Sequence, residues 1–315
     1  MSASRKIITI FGGTGFIGRY TVQMLARTGA QIRIATRSPA SAYFLKPSGD
    51  VGQIVPVSCD IHDAASVARA VAGSTHVINL VGILFEGSGS KNKFDAIHHL
   101  AAQRIAHVAA ESGVRQFIHI SAIGASKKAE AYYAQSKADG EDAVLRAYPA
   151  AVILRPSLVF GAEDNFFNRF AAMARTTPAL PLVMGGQTRF QPVYVGDVAA
   201  AICKLVTCDN ARKYNGEVFE LAGPQIATFR DLLQTTLDIT GRKRLFIPLP
   251  APIAKIIGAI GGLLPTPPLT VDQVRSLRTD NVASGHHPGL ADLGISPTAM
   301  AGILPQYLKQ YRKIC

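Results

Sequence analysis

Apolar positions along the chain fall into short β-branched runs separated by longer segments with helical spacing. The runs occupy residues 6–11, 31–36, 53–60, 75–82, 116–122 and 150–156. Short apolar runs of this kind are typical of fully buried parallel strands. The helical patterns at 20–28, 64–72 and 97–112 each stop at a glycine, a common helix end. The alternation predicts an α/β fold with a doubly wound parallel sheet and right-handed crossovers.

The pattern changes after about residue 156. Proline and glycine become more frequent, one strand-like run follows at 216–223, and a helical pattern covers 228–241. We therefore expect a nucleotide-binding domain over residues 1–155. Residues 156–315 are expected to form a smaller C-terminal α/β cap, interleaved with the last strands of the sheet.

Charge narrows the choice of partners. The 315 residues include 33 Lys and Arg against 21 Asp and Glu, a net charge of +12. This balance favours an anionic partner such as a phosphorylated cofactor, an acidic protein face or a lipid surface. We expect no nucleic-acid binding, because the chain has no run of five basic residues and no aromatic-basic interleaving.

The cysteines and histidines do not predict a metal site. Cys59, Cys203, Cys208 and Cys315 form no CxxC pair and have no histidine at metal-ligand spacing, which is typical of free thiols in a reducing compartment. His286 and His287 are interpreted as loop residues. The first residues are not followed by an apolar signal-peptide core, so the chain is expected to stay inside the cell.

Three glycines point to a bound phosphate. Gly12, Gly15 and Gly18 follow the first predicted strand directly and precede the first helix. A backbone that approaches a pyrophosphate needs residues without Cβ, and a helix N-terminus supplies free N–H groups and a positive dipole. At the first strand-helix junction of an alternating chain, this spacing predicts a dinucleotide site.

The end of the second strand bears on which dinucleotide is bound. It carries Arg37, with Arg19 and Arg33 nearby, where an acidic side chain would hold an adenosine ribose hydroxyl. Arginine suits a 2′-phosphate, so NADP(H) is favoured over NAD(H), although a solvated surface arginine is the alternative.

Two further segments suit the same ligand. Asp60, with Ile61 beside it, ends the third strand and is expected to meet the adenine amino group; a helix N-cap at Asp60 or Asp63 is the alternative. Residues 79–82, with the sequence NLVG, end the fourth strand with a small residue, where the chain is expected to pass under the cofactor.

A possible catalytic pair comes later in the chain. Tyr133 and Lys137 are spaced i, i+4 and are expected to share one helix face. The chain resembles the extended and atypical short-chain dehydrogenase/reductases, which have a Rossmann fold. The resemblance covers most of its length and is carried, in family order, by the motifs GGTGFIG, CDIHD, NLVG, YAQSK, RPSLVFG and QPVYVGDVA.

This resemblance implies that the lysine lowers the tyrosine pKa and binds the nicotinamide ribose while the phenol exchanges a proton. The catalytic residues it implies are Tyr133, Lys137 and Ser121, but Ala122 occupies the place where extended members often carry the hydroxyl, and Ser126 is a fallback. Pro156 and Ser157 are implied near the nicotinamide. The expected cofactor-binding residues are Gly12, Thr14, Gly15, Phe16, Ile17, Gly18, Arg37, Asp60, Ile61, Leu80, Val81, Gly82, Tyr133, Lys137, Pro156 and Ser157.

Within that family, residues 155–175, 181–202 and 286–295 resemble the nucleotide-binding accessory subunits of respiratory complex I and their bacterial relatives. The resemblance implies complex I subunits as partners and a structural NADP(H). A free NAD(P)-dependent reductase, epimerase or dehydratase of a small carbonyl or nucleotide-sugar compound, acting through Tyr133 and Lys137, is the alternative.

An apolar segment at 250–265 follows the basic residues 241–244 and is too short to span a bilayer. It is interpreted as a surface-lying or docking helix that contacts lipid phosphates, or equally as a buried cap helix. The expected location is the bacterial cytoplasm, peripheral at the cytoplasmic face of the inner membrane, or the mitochondrial matrix side in a eukaryote.

Overall fold

A computed structural model of the chain describes residues 6–87, 89–208, 210–250, 252–254 and 269–312. Most of the apolar segment predicted at 250–265 therefore lies outside the described residues. In chain order the strands are β1 (Ile7–Phe11), β2 (Gln31–Thr36), β3 (Ile54–Ser58), β4 (His76–Asn79), β5 (Gln116–Ile120), β6 (Val152–Pro156), β7 (Val159–Phe160), β8 (Ala179–Val183), β9 (Arg189–Phe190), β10 (Val193–Tyr194), β11 (Val218–Leu221), β12 (Ala227–Thr228) and β13 (Leu245–Leu249).

Helices connect these strands. They are α1 (Phe16–Ala26), α2 (Ala64–Val71), α3 (Ala102–Glu111), α4 (Tyr132–Ala147), α5 (Phe167–Thr176), α6 (Val195–Thr207), α7 (Phe229–Thr240), α8 (Val271–Ser276) and α9 (Met300–Leu308). A π-helical turn, Asp95–Ala101, leads directly into α3. Turns of this kind are rare and often occur near functional sites.

The main sheet has seven parallel strands in the order β11-β6-β5-β4-β1-β2-β3. The doubly wound parallel sheet predicted from the sequence is thereby confirmed. The strand order reverses beside β1, where Phe11 pairs with Ala35 of β2 on one side and with Asn79 of β4 on the other. Ligands of open α/β sheets bind outside the carboxyl ends of the strands at such a switch point.

Each face of the sheet has its own core, because successive side chains of a strand point to opposite faces. Ile118 and Ile120 of β5 pack in the cluster that also contains residues of α1 and α6. Phe117 packs on the other face, in a cluster with residues of α2, α3 and Val144 of α4. His119 therefore lies on the α4 side of the sheet.

The second half of the chain contributes to both the main sheet and the cap. Strand β11 pairs with β6 at the edge of the sheet, and α6 packs against α1. The cap contains the parallel pair β8 and β13. Side chains of α5 and α7 pack against β8, and a second cluster joins α5, α7 and α9. The boundary at residue 155 stays a prediction.

The π-helical turn and α4 approach each other closely at Gly140. A Cβ at this position would lie 2.1 Å from the carbonyl oxygen of His98. A real carbon atom cannot come so close, and the obstacle is backbone rather than a mobile side chain. Glycine is therefore required for α4 to lie where it does.

We expect Gly140→Ala to lower the free energy of unfolding by more than about 2 kcal/mol, because the two backbones would have to separate. Gly302→Ala is the matched control: it is an exposed position in α9 with nothing within 4 Å of its Cβ position. That variant should be neutral or up to about 1 kcal/mol more stable, because alanine favours helix. Urea unfolding of both variants measures the difference, and equal effects would contradict the expectation.

Candidate functional site

The glycine-rich loop brings the backbone of α1 against the end of β4. Gly12 has φ +79°, and its carbonyl accepts a hydrogen bond from the Gly15 N–H at 3.0 Å. A Cβ at Gly12 would lie 3.0 Å from the Leu80 carbonyl carbon, and one at Gly18 only 2.2 Å from the Gly12 oxygen. Both positions therefore need glycine, because the loop packs closely on α1 and on the chain after β4.

The N-terminus of α1 is open. Gly15 is the N-cap and is exposed; no side-chain cap bond forms there among the described residues, and the first turn carries no acidic side chain. Its N–H groups and helix dipole thus favour an anion. Phe16 packs edge-on against Tyr20 at 6.1 Å, Ile17 packs against the core, and Thr14 is half-buried.

The chain passes directly over this loop after β4. The Leu80 N–H donates to the Phe11 carbonyl at 2.9 Å, and the Val81 N–H donates to Asn79 Oδ1 at 3.1 Å. A Cβ at Gly82 would lie 3.1 Å from Lys137 Nζ. Residues 80–82 therefore connect the phosphate loop to the helix that carries the tyrosine-lysine pair.

The arginines near β2 have different surroundings. Arg37 is exposed at the end of the strand. Arg19 pairs with Glu163 at 3.2 Å and lies over the Phe44 ring at 5.4 Å, while the Arg33 guanidinium donates to the Ala72 carbonyl. Arg37 is thus the arginine of this group whose side chain is exposed at the end of β2.

Asp60 follows β3, and its carboxylate bonds to protein groups. Its Oδ1 accepts the His62 N–H at 2.9 Å, which lowers the pKa of the carboxyl group, and its Oδ2 pairs with Lys91 at 3.2 Å. The N-cap of α2 is Asp63, which accepts the N–H groups of residues 65 and 66. Ile61 packs against the α4-side core, and its carbonyl accepts from Arg104. The alternative of Asp60 as the N-cap is therefore wrong.

Tyr133 and Lys137 lie on one face of α4, with Nζ 5.9 Å from the phenol ring centroid. Lys137 is 4% exposed, and its ammonium donates to the Ile120 carbonyl at 3.3 Å. Burial lowers the pKa of Lys137 to about 8 and raises the pKa of Tyr133 to about 12. Both groups are therefore protonated at neutral pH, and the phenol is a weaker acid than a free tyrosine.

Ser121 follows β5 on the face toward α4. Its N–H donates to the Leu154 carbonyl at 2.7 Å, and its buried hydroxyl has no hydrogen-bond partner within the described residues. Ser126 lies further along in the next turn, where its hydroxyl accepts the Lys128 N–H. Ser121 is thus the hydroxyl closer to the strand end.

Pro156 and Ser157 lie at the end of β6. The Pro156 carbonyl accepts the Ile123 N–H at 3.0 Å. The Ser157 hydroxyl donates to Asn281, at 2.7 Å to Oδ1 and 3.0 Å to the carbonyl oxygen. Ser157 therefore binds the C-terminal part of the chain through its hydroxyl.

His98 is a site residue that sequence reasoning missed. Its Nε2 accepts the Ile83 N–H at 3.0 Å, so the neutral ring carries its proton on Nδ1, which donates to Ser136 Oγ at 2.9 Å. Burial lowers the pKa of His98 to about 2, and its ring meets Tyr133 edge-on at 5.5 Å. A histidine on an apolar helix face carries no sequence signal for such a network.

Asp272 of α8 is the second missed residue. Its carboxylate accepts the N–H of Tyr132 at 2.7 Å and of Tyr133 at 2.9 Å. Ala131, the N-cap of α4, has no side chain that could do this, and the Arg275 guanidinium covers the Tyr132 ring at 4.9 Å. A residue 139 positions away in the chain thus caps the helix that carries the tyrosine-lysine pair.

Neither a metal centre nor a membrane-spanning helix is found among the described residues. No three His, Cys, Asp or Glu side chains in these parts of the chain lie together as metal ligands would. None of the helices within the same residues is long and apolar enough to cross a membrane.

Comparisons with known proteins bear on this arrangement. Residues 8–222 match the family described as NAD dependent epimerase/dehydratase. An Arabidopsis thaliana protein named NADH dehydrogenase (ubiquinone) 1 alpha subcomplex subunit 9, mitochondrial, is 38% identical over 99% of this chain and 79% of its own length. The mitochondrial NADH-ubiquinone oxidoreductase 40 kDa subunit of Neurospora crassa is 32% identical over 96% of this chain and 79% of its own.

Solved structures agree on the fold. The NADPH-dependent quinone oxidoreductase of Escherichia coli, complexed with NADPH, superposes with a TM-score of 0.75 and 20% identity. The match covers 96% of this chain and 99% of that one. At this identity the likeness concerns the fold alone.

We expect Asp272→Ala to lower the free energy of unfolding by about 1–2 kcal/mol, because two N–H groups at the start of α4 lose their acceptor. Asp280→Ala is the matched control: Asp280 also accepts a backbone N–H, that of Arg189 at 2.8 Å, but caps no helix. Thermal unfolding and hydrogen exchange at Tyr132 and Tyr133 measure the effect. Faster exchange in the Asp280 variant but not in the Asp272 variant would contradict the assignment.

Proposed function

This chain belongs to the NAD dependent epimerase/dehydratase family, and on that premise we propose that it is an accessory or assembly protein of respiratory complex I, NADH:quinone oxidoreductase, with a structural NADP(H). The observation that carries the proposal is the similarity over 99% of the chain to a protein named as a subunit of that enzyme. The proposed partners are accordingly the other subunits of complex I.

The geometry of the loop supports nucleotide binding. Gly12 and Gly18 let the loop pack closely on the chain after β4 and on α1, and the exposed N-cap Gly15 leaves the N–H groups of α1 to receive a pyrophosphate. The Lys137 ammonium, with the Ile120 carbonyl as its hydrogen-bond acceptor, suits the hydroxyl oxygens of a ribose. These features lie along one edge of the sheet, on both sides of the switch point.

The preference for NADP(H) rests on Arg37. Its exposed guanidinium stands at the end of β2, in a stretch without an acidic side chain to hold a ribose 2′-hydroxyl. A planar, permanently charged group at that place binds a 2′-phosphate by charge-assisted hydrogen bonds. NAD(H) is the less favoured ligand, because it lacks this phosphate.

Several features favour a structural rather than a reacting nucleotide. Ala122 stands where extended relatives often carry a hydroxyl. The Ser157 hydroxyl donates to Asn281. Asp272, which belongs to the C-terminal segment, accepts the Tyr133 N–H at the start of α4. The alternative, a free reductase, epimerase or dehydratase acting through Tyr133, Lys137 and Ser121, lacks this support.

We place the protein at the cytoplasmic face of the bacterial inner membrane, or on the matrix side in a eukaryote. Lys243 is exposed beside Leu245 and Ile247, which are 74% and 55% exposed on β13. Arg242 and Arg244 flank Lys243, and each also donates to a backbone carbonyl. Cationic and aliphatic side chains together suit an anionic lipid surface beside the membrane-bound enzyme.

Comigration tests the association. We expect this chain, extracted from membranes with a mild detergent, to migrate with NADH:quinone oxidoreductase activity on native gels, because a resident accessory protein stays bound through extraction. Deleting the chain should lower the amount of assembled enzyme. Recovery of the chain in the soluble fraction alone, with assembly unchanged in its absence, would overturn the proposal.

Oxidation of NADPH by the purified protein on addition of a ketone or quinone, abolished by Tyr133→Phe, would instead support the reductase alternative.

Arg37→Asp tests the nucleotide. We expect the variant to bind NADPH at least tenfold more weakly and to lose the copurifying nucleotide, because a carboxylate repels the 2′-phosphate. Its melting temperature should fall by ordinary ligand linkage, since a ligand at about 100 times its Kd stabilises by about 2.7 kcal/mol. Arg27→Asp, the same charge change just beyond the far end of α1, is the control. Equal NADPH affinities for the two variants would refute the role of Arg37.

A further inference from the structure

Two buried polar side chains at the end of β5 have unsatisfied hydrogen-bonding atoms. His119 is 1% exposed and Ser121 is 2% exposed. Both side chains lie on the face of the sheet toward α4, because they alternate with Ile118 and Ile120 of the opposite core. Lys137 reaches the same strand end, where it bonds the Ile120 carbonyl between them.

The hydrogen bonds of Asn79 decide which nitrogen of His119 carries the proton. Asn79 Oδ1 accepts the Val81 N–H at 3.1 Å, so its amide nitrogen faces His119 Nδ1, also at 3.1 Å. The amide donates to Nδ1, and burial keeps the ring neutral by lowering its pKa to about 3. His119 Nε2 therefore carries the hydrogen and is a donor.

Donors outnumber acceptors at this strand end. His119 Nε2 and Ser121 Oγ have no partner among the described residues, and the one acceptor of the Lys137 ammonium is the Ile120 carbonyl at 3.3 Å. Buried donors without acceptors are rare in folded proteins because each loses its bond to water. An occupant that carries acceptor oxygens would satisfy these groups.

The strand order indicates which part of a dinucleotide reaches this place. The pyrophosphate site lies between β1 and β4, and the adenosine end faces Arg37 and Asp60 at the ends of β2 and β3. The other half of the ligand then extends across β4 toward β5, where Lys137 Nζ lies against Gly82. That half offers ribose hydroxyl and carboxamide oxygens.

We propose that His119 is a nucleotide-binding residue whose Nε2–H donates to an oxygen of the nicotinamide-side half of the bound dinucleotide, beside Lys137 and Ser121. This inference rests on the proposed nucleotide binding and adds a contact on the half of the ligand that the phosphate loop and Arg37 do not reach. It also gives the buried Asn79–His119 pair a function, because that pair holds the proton on Nε2.

The test compares the binding of NADPH with the binding of a fragment that contains only its adenosine end. The full chain, freed of nucleotide, is titrated with NADPH and with 2′,5′-ADP, which carries the adenosine end and its 2′-phosphate but no nicotinamide half. His119→Phe keeps an aromatic ring and removes the donor. We expect it to weaken NADPH about tenfold and to leave 2′,5′-ADP unchanged, the size of one lost hydrogen bond. His119→Gln, which keeps an N–H donor, should lose less NADPH affinity.

His76→Phe is the matched control, because His76 is a buried neutral histidine at the opposite end of β4, bonded to Thr75. It should leave both affinities unchanged. Equal weakening of both ligands by His119→Phe, or no change in either, would overturn the assignment. If His119→Phe does not fold, His119→Gln replaces it in the test. Native NADPH affinity and stability of the His119→Gln variant then support the assignment, and loss of binding of both ligands by that variant overturns it. A native chain that binds neither ligand would refute the proposed nucleotide function itself, and this inference with it.

Discussion

The close approach between α1 and the loop before it is the constraint on which the rest of the structure depends. At Gly18 a single added carbon would collide with the Gly12 carbonyl, and at Gly12 it would press on Leu80. These contacts set how α1 lies on the sheet beside the switch point, and α6 in turn packs on α1. The same glycines leave the N–H groups of α1 open to a phosphate, so packing and ligand binding depend on one geometry.

The α4 side of the sheet carries buried or half-buried polar groups, among them Lys137 and Tyr133. Burial acts on Lys137 and Tyr133 in opposite directions, because it favours the neutral form of each and so lowers one pKa and raises the other. The result is a lysine in need of acceptor oxygens beside a phenol that holds its proton firmly.

The C-terminal segment completes this site from a distance. Asp272 caps α4, and Asn281 accepts from Ser157 at the end of β6. The C-terminal segment thereby contacts the main sheet at the end of β6 and the helix α4 at its start. These contacts tie the C-terminal segment to the helix that carries Tyr133 and Lys137 and to the main sheet.

The sequence by itself determined the alternation of strands and helices, the glycine loop and the arginine that follows the second strand, because each depends on local periodicity or on the backbone freedom of a few neighbouring residues. It left open whether Asp60 or Asp63 caps α2, and it carried no sign of the networks around His98 and Asp272. Those were decided by tertiary structure, since their partners lie far apart in the chain and meet only when the sheet and helices have packed. No repeating sequence pattern predicts a hydrogen bond between residues 139 positions apart, so only the folded structure brings its partners together.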